Sequence, residues 1–368
     1  MKSKKWLIIF TIFSILGVGF VGGVNYVLDP NGLNNKFLIN KINTKKESNT
    51  AFTTRFKSNI LVNGNFDTLL LGTSRIGVMN PEVVNKYLSC NSFNLEYPGS
   101  VTKIQKKFFL YANHFNKIKN LVYGIDFMAF NKNRTIENDF KEFYELENMI
   151  ESNQLISNND FYFTFEAFTK SLKVVFNSLR NKHKSEAEYS NINGMRDYKN
   201  FIQDSKENKL QLDKEINNSI KSYFKPMGIY KNYKFSYEYL EDFKEVIQYC
   251  KNNNIKLFVY IPPMYSEHYD AIYAAGHFSQ FELFKKELSK ITEFIDFTGH
   301  NEISSNKNNY WDSSHLRVEL TQTIMAKIFN DKTIEVPKDF GVLVTKQNID
   351  QHLRNLREQI KSYDLNKL

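Results

Sequence analysis

The apolar positions of this chain fall into one long block and a series of short ones. The long block runs from Trp6 to Val24, nineteen residues without a charge, and follows Lys2, Lys4 and Lys5. A helix of that length crosses a hydrocarbon core. Positive charge ahead of it and none directly behind predicts an N-terminus inside and residues 25–368 outside the cytoplasmic membrane. The stretch is long for a signal-peptide core and no A-x-A site follows it, so the pattern predicts an uncleaved, single-pass anchor over 1–24 rather than a cleaved leader. No cysteine stands where a lipidation box needs one.

Residues 25–65 are mostly polar, with turn signals at Asp29-Pro30-Asn31-Gly32, and read as a juxtamembrane connector. Short blocks then alternate. Thr68 to Leu71 is a run of strand length broken at once by Gly72-Thr73-Ser74, and Asn80-Pro81-Glu82 opens a helix over Pro81 to Leu88. Ser92 to Leu95 is a second strand ending at Pro98-Gly99-Ser100. Ile104, Phe108, Phe109, Ala112 and Phe115 share one helical face within Thr102 to Phe115, and Asn120 to Phe127 is a third strand. Strands separated by helices imply a parallel sheet.

Residues 131–235 break this rhythm. They predict helices at Phe140 to Ile150 and Phe161 to Leu179 and a loop at Lys182 to Tyr198. A single loop of that length is implausible in a domain, so the stretch reads as a helical insertion. The alternation resumes with a helix at Tyr237 to Cys250, a strand at Ile255 to Ile261 and a helix at His268 to Leu288 that breaks near Gly276. A fifth strand follows at Thr292 to Phe297 and a closing helix at Glu319 to Phe329. In the tail, 331–368, Ile349, Leu353, Leu356 and Ile360 mark a last amphipathic helix. The α/β domain thus spans 66–330.

Composition changes the picture little. An apolar content of 42% suffices for a packed core, which excludes global disorder. The net charge of +9 is spread along the chain with no basic stripe and no nucleic-acid motif. It reads as a solvated surface with a mild preference for anionic partners, and nucleic acid is not expected. Cys90 and Cys250 are too few for a disulfide framework or a metal knuckle, and their pairing stays open. Neither HExxH nor paired-Cys spacing occurs, so no metal and no cofactor is expected.

Two segments carry candidate chemistry. Ser74 stands at the carboxyl end of a strand just before a helix, where open α/β sheets bind ligands. Asp312 and His315, three apart in YWDSSHLRV, allow the carboxylate to take the imidazole Nδ1 proton and leave Nε2 as a general base. The pair follows the last strand and should emerge at the same sheet edge as Ser74.

These segments together resemble the SGNH (GDSL-like) hydrolase superfamily. GTS at Gly72 to Ser74 stands where that family has its GDS block, DSSH at Asp312 to His315 matches its DxxH block, and Gly99 in YPGS fits its glycine block. GID at Gly124 to Asp126 lies where the family's GxN block ends strand three. The resemblance implies a flavodoxin-like α/β/α sandwich on a parallel five-stranded sheet. It makes Ser74 the nucleophile, His315 the base, Asp312 its orienter, and backbone N–H groups near Ser74 and Gly99 the oxyanion donors. The anchor, the DPNG connector, LGTSR, YWDSSHLR and the tail DFGVLVTKQNIDQHL are similar to a group of bacterial membrane-anchored SGNH proteins. That group is related to alginate-acetylation and teichoic-acid D-alanylation proteins, which implies a membrane-bound O-acyltransferase as partner. One position departs from the family: Asp126 stands where Asn is usual. A carboxylate there would repel an oxyanion, so Asp126 is either protonated, or turned aside to Arg75 or Arg317, or a cap on the strand end.

The expected function is therefore an extracytoplasmic serine esterase or O-acyltransferase acting on a cell-surface glycan or wall polymer. The alternative is a non-catalytic scaffold of the same fold that binds a glycan or the membrane acyltransferase.

Overall fold

The strand-length runs pair because buried backbone can satisfy its polar groups only along neighbouring strands, and the runs at Thr68, Ser92 and Asn120 are buried along their whole length. In the computed structural model β1 (Thr68–Gly72), β2 (Ser92–Glu96), β3 (Asn120–Gly124), β4 (Lys256–Ile261) and β5 (Phe294–Asp296) form parallel pairs, with Leu70 opposite both Asn94 and Val122. The structure describes residues 2–134 except 35, 45 and 48–52, residues 159–180, and residues 189–365 except 191, 208, 226, 227 and 231. The expected helix at Phe140 to Ile150 lies outside the described residues, as does the expected loop before Tyr189.

The sheet has six strands rather than the expected five, in the order β2-β1-β3-β4-β5-β6. The sixth, β6 (Val342–Val344), runs antiparallel to β5 and pairs Leu343 with Ile295. It makes the sheet mixed and draws the C-terminal tail into the domain. Its three residues are too few to show a period, and Val342 and Leu343 are exposed on an edge.

Side chains alternate between two cores, as a pleated strand requires. Leu69, Leu71, Leu121 and Tyr123 face helices Thr102–Phe115, Tyr237–Asn252 and Phe278–Ile291, while Leu70, Val122 and Tyr260 face the other side with Val84, Ile216 and Ile324. Helix Pro81–Leu88 begins where expected, its Asn80 side chain accepting from the Glu82 N–H. The break near Gly276 separates Ser266–Ala274 from Phe278–Ile291, and Gly276 itself has φ 75°. Cys90 and Cys250 are both free thiols.

An antiparallel bridge between Asn131 and Phe235 closes the base of the insertion. Its helix Leu212–Phe224 returns to the sheet through Ile216 and Ile220. Helix Phe165–Leu179 instead lies with the N-terminal helix Lys2–Leu28. That helix, at about 1.5 Å per residue, is roughly 40 Å long, enough to cross a membrane. The connector is more structured than its polarity suggests. It carries helix Thr53–Asn63, which buries Phe56 and Leu61, and its Asn43 and Lys46 side chains donate to the Leu28 carbonyl at the end of the long helix.

Candidate functional site

The site begins with two glycines. Gly72 and Gly124 pair in register at the ends of β1 and β3, the two strands from which the chain departs in opposite directions across the sheet. A Cβ on Gly72, whose φ is 150°, would meet the Gly124 carbonyl oxygen at 2.3 Å, and one on Gly124 would meet Ile76 Cδ1 at 1.9 Å. The notch left by both is filled by Ile76, fully buried, which seats the single helical turn Ser74–Gly77 against the strand ends. Thr73 is its N-cap, accepting from the Arg75 N–H at 3.4 Å. Ser74 thereby sits at the first position of the turn, at the switch point of the sheet, where α/β folds leave their crevice.

The second half of the site is the loop after β5, pinched by the bridge between Tyr310 and Leu316 and by the Trp311 N–H donating to the His315 carbonyl at 2.9 Å. Asp312 Oδ1 accepts from the N–H groups of Ser314 (2.6 Å) and His315 (2.9 Å), and Oδ2 lies 2.7 Å from His315 Nδ1. With one carboxylate oxygen holding the loop and the other holding the ring, His315 directs Nε2 to Ser74 Oγ at 2.9 Å. The structure thus brings Ser74, His315 and Asp312 into one hydrogen-bonded chain.

Burial alone would raise the Asp312 carboxyl, but the His315 imidazole and the two backbone donors outweigh it and bring it down to about 2. A depressed carboxylate contributes stability above its unfolded value near 4, and loses it as pH falls through its folded value. The chain is therefore expected to lose about 2 kcal/mol from this group between roughly pH 4 and pH 2. Urea unfolding of the wild type and Asp312→Asn across that window checks it: the stability difference should shrink as pH falls.

Asp126 is turned aside. Its Oδ1 accepts from Arg75 Nη1 at 2.7 Å, and its Oδ2 accepts from the Thr73 hydroxyl in a short hydrogen bond. Of the two cations expected as partners, Arg75 is the one bound; Arg317 instead lies over the Trp311 ring, 4.2 Å from its centroid. Asp126 also precedes a 3-10 turn, Phe127–Phe130, yet its side chain makes no capping hydrogen bond there. Burial opposes charge on Arg75, but Asp126 outweighs it and holds the guanidinium above its ordinary value, so it stays protonated. Arg75 Nε donates to Ser314 Oγ at 2.9 Å, and the Ser314 hydroxyl bonds the Tyr223 hydroxyl at 2.7 Å. The residue after Ser74 is therefore tied to the residue before His315.

Gly99 lies in the turn after β2 with φ 63°, and its carbonyl accepts from Arg134 Nη2 at 2.7 Å. That turn abuts the end of β1 through the Tyr97 N–H, which donates to the Gly72 carbonyl at 2.9 Å. The sequence pattern does not mark Ser314, Tyr223 or Thr73 as parts of the site. Ser314 is one of two serines inside DSSH with nothing to single it out, and Tyr223 arrives from the insertion. The other serine, Ser313, bonds the buried His268 Nδ1 at 2.9 Å, and burial, then Arg75, hold that imidazole well below its ordinary value, hence neutral.

A serine hydroxyl on an imidazole that a carboxylate orients can deprotonate as it attacks an electrophilic carbon. Among the described residues, no three His, Cys, Asp or Glu side chains converge as a metal site. No protein-family model and no curated protein matches the chain.

Proposed function

We propose that this chain is a membrane-anchored serine esterase or O-acyltransferase of the SGNH type, acting outside the cytoplasmic membrane on acyl groups of a cell-surface glycan or wall polymer. The observation that carries the reading is the continuous Asp312–His315–Ser74 chain, with contacts of 2.7 and 2.9 Å. The order of the first five strands, β2-β1-β3-β4-β5, supports a flavodoxin-like sandwich with this chain of residues at its switch point. GTS, YPGS and GID fall at the ends of β1, β2 and β3, and DSSH falls in the loop between β5 and the closing helix.

In this reading Ser74 Oγ attacks an acyl carbonyl while His315 Nε2 takes the hydroxyl proton, and Asp312 supports the imidazolium that forms. The tetrahedral oxyanion is held by backbone N–H groups of the Ser74 turn and of Gly99. His315 then gives its proton to the leaving alcohol oxygen, and the acyl group remains on Ser74 as an ester. Water or a sugar hydroxyl, deprotonated by His315, attacks that ester and releases Ser74. Asp126 accepts from Thr73 and Arg75 and so offers the oxyanion no donor. A side-chain donor of that kind is worth about 10²–10³ in rate, and its lack slows both formation and breakdown of the acyl-enzyme. The same observation supports the second reading, a glycan- or acyltransferase-binding scaffold that performs no chemistry.

Expression of Ser74→Ala in cells lacking the wild-type chain separates the two. The enzyme reading expects loss of surface-polymer acylation with the variant present at normal level; retained acylation leaves the scaffold. For the compartment, protease added to intact spheroplasts should digest residues 25–368, and full protection would contradict an outward-facing domain.

A further inference from the structure

Helix Phe165–Leu179 has three faces instead of two. Ala167, Ser171, Val174 and Ser178 form a buried face of mostly small residues toward the end of the long N-terminal helix. Asn25, wholly buried on that helix, fixes the contact: its Nδ2 donates to the carbonyls of Tyr162 (2.7 Å) and Thr164 (3.3 Å), and its Oδ1 accepts from Ser171 Oγ at 2.9 Å. One turn earlier, Gly22 leaves room for the Phe163 ring, whose nearest atom would stand 2.3 Å from a Cβ there. The second face is charged, with Glu166, Lys170 and Lys173. The third is apolar and exposed, apart from the Arg180 guanidinium that lies over the Phe176 ring, 3.8 Å from its centroid. Phe165, Leu172 and Phe176 with Leu179 lie within one stripe at helical spacing, and these four together with Phe163 are 50–76% exposed.

A second segment repeats the arrangement. Asn43 Nδ2 donates to the carbonyls of Val27 (3.0 Å) and Phe37 (2.7 Å), which pins the stretch Phe37–Leu38–Ile39 beside the last turn of the long helix. All three of its side chains are exposed, although the Phe37 ring also meets Tyr26 edge-on at 6.0 Å. Two stretches far apart in sequence thus present large apolar side chains and are both tied by buried polar contacts to residues 22–28. Gly22 lies six residues before the helix end, about 9 Å along its axis, so Phe163 stands level with the apolar span.

We infer that helix Phe165–Leu179 and the Phe37–Ile39 stretch lie in the headgroup and upper acyl region of the bilayer that the N-terminal helix crosses. The occupant of the exposed stripe is lipid. Continuity with the span argues for this, since the stripe begins at a residue packed on Gly22. The three faces argue for it too: an interfacial helix buries its apolar face about 5–10 Å below the headgroups and keeps lysines at the polar edge. The anchor is then a rigid dock that holds the α/β domain against the membrane surface, where a membrane-bound acyl donor or acceptor is within reach. The inference rests on the helix Lys2–Leu28 spanning a membrane and is independent of the catalytic reading.

The test uses the full chain in phosphatidylcholine–phosphatidylglycerol vesicles containing lipid brominated in the upper acyl chain. The two natural tryptophans are Trp6 and Trp311, the latter buried in the domain core. Trp6→Phe leaves Trp311 as background, and Leu172→Trp or Phe176→Trp is added to it, with Tyr273→Trp as an exposed control outside both segments. The expected result is blue-shifted emission from positions 172 and 176, quenched by bromolipid about as strongly as Trp6 in the unmodified chain, with position 273 unquenched. Red-shifted, unquenched emission at 172 and 176 would show a water-facing stripe and overturn the inference. Blue-shifted but unquenched emission would show that protein, a second copy or another part of the chain, covers it, and would overturn it equally. Should Trp6 itself escape quenching, the membrane span fails first, and the inference falls with it.

Discussion

Replacing Ser74 by alanine is expected to lower turnover of a small acetyl ester by about 10⁴-fold or more, and replacing His315 by alanine to do the same. In the proposed mechanism the two groups act as a unit: without the hydroxyl the imidazole has no proton to take, and without the imidazole the hydroxyl is a poor nucleophile. The double variant should consequently be little worse than either single one, far short of the product of the two losses. Asp312→Asn should be nearly as severe. The amide can accept at one atom only, and Asp312 now uses one oxygen for two backbone N–H groups and the other for the imidazole. An amide nitrogen facing Nδ1 would favour the tautomer with its proton on Nε2, which cannot accept from Ser74. Steady-state kinetics of the four variants against the wild type check this; multiplicative losses would show that the residues do not share one step.

The second large effect is on stability. Asp126→Asn should cost about 3–5 kcal/mol, because it leaves the buried Arg75 guanidinium with no opposite charge. Both side chains of this pair are essentially inaccessible, at 1% and 0% exposure, so water cannot compensate. Activity should fall as well, since Arg75 ties the turn carrying Ser74 to the loop carrying His315 through Ser314. A rise in hydrolysis would mean that the new amide serves as an oxyanion donor and that the Arg75 pair matters less than its burial implies. Urea unfolding measures the first effect and ester turnover the second, with an unchanged denaturant slope showing that the loss is one of stability.

Much of this arrangement was legible in the sequence because it rests on local pattern. Apolar runs of strand length located β1 before Gly72, β2 before Pro98-Gly99 and β3 from Asn120, although β3 ends at Gly124 and not at Phe127, where a 3-10 turn begins. An aspartate three residues before a histidine after the last parallel strand located the second half of the site. Asn131 and Phe235, where the strand–helix rhythm stops and resumes, are the two residues that bridge the insertion's base. What stayed hidden depends on distant parts of the chain. Strand β6 is three residues with an exposed edge, and only its pairing with β5 makes it a strand. The choice of Arg75 over Arg317 as the partner of Asp126 follows from the seating of Ile76 in the Gly72–Gly124 notch, which the spacing of residues does not encode. Tyr223 reaches Ser314 from the insertion across 91 positions of sequence. The connector's asparagines and lysine read as a polar tether, yet Asn43 and Lys46 close the carbonyl end of the long N-terminal helix, as side chains at helix termini do.

The central claim is that Ser74 is a nucleophile activated by His315. The most direct test is reaction of the full chain, in detergent, with a fluorophosphonate, followed by mass spectrometry of the labelled peptide. The account predicts one adduct, on Ser74, formed by the wild type, absent in Ser74→Ala and slowed at least about 10³-fold in His315→Ala. An unlabelled wild-type protein, or an adduct that persists in Ser74→Ala, would contradict it.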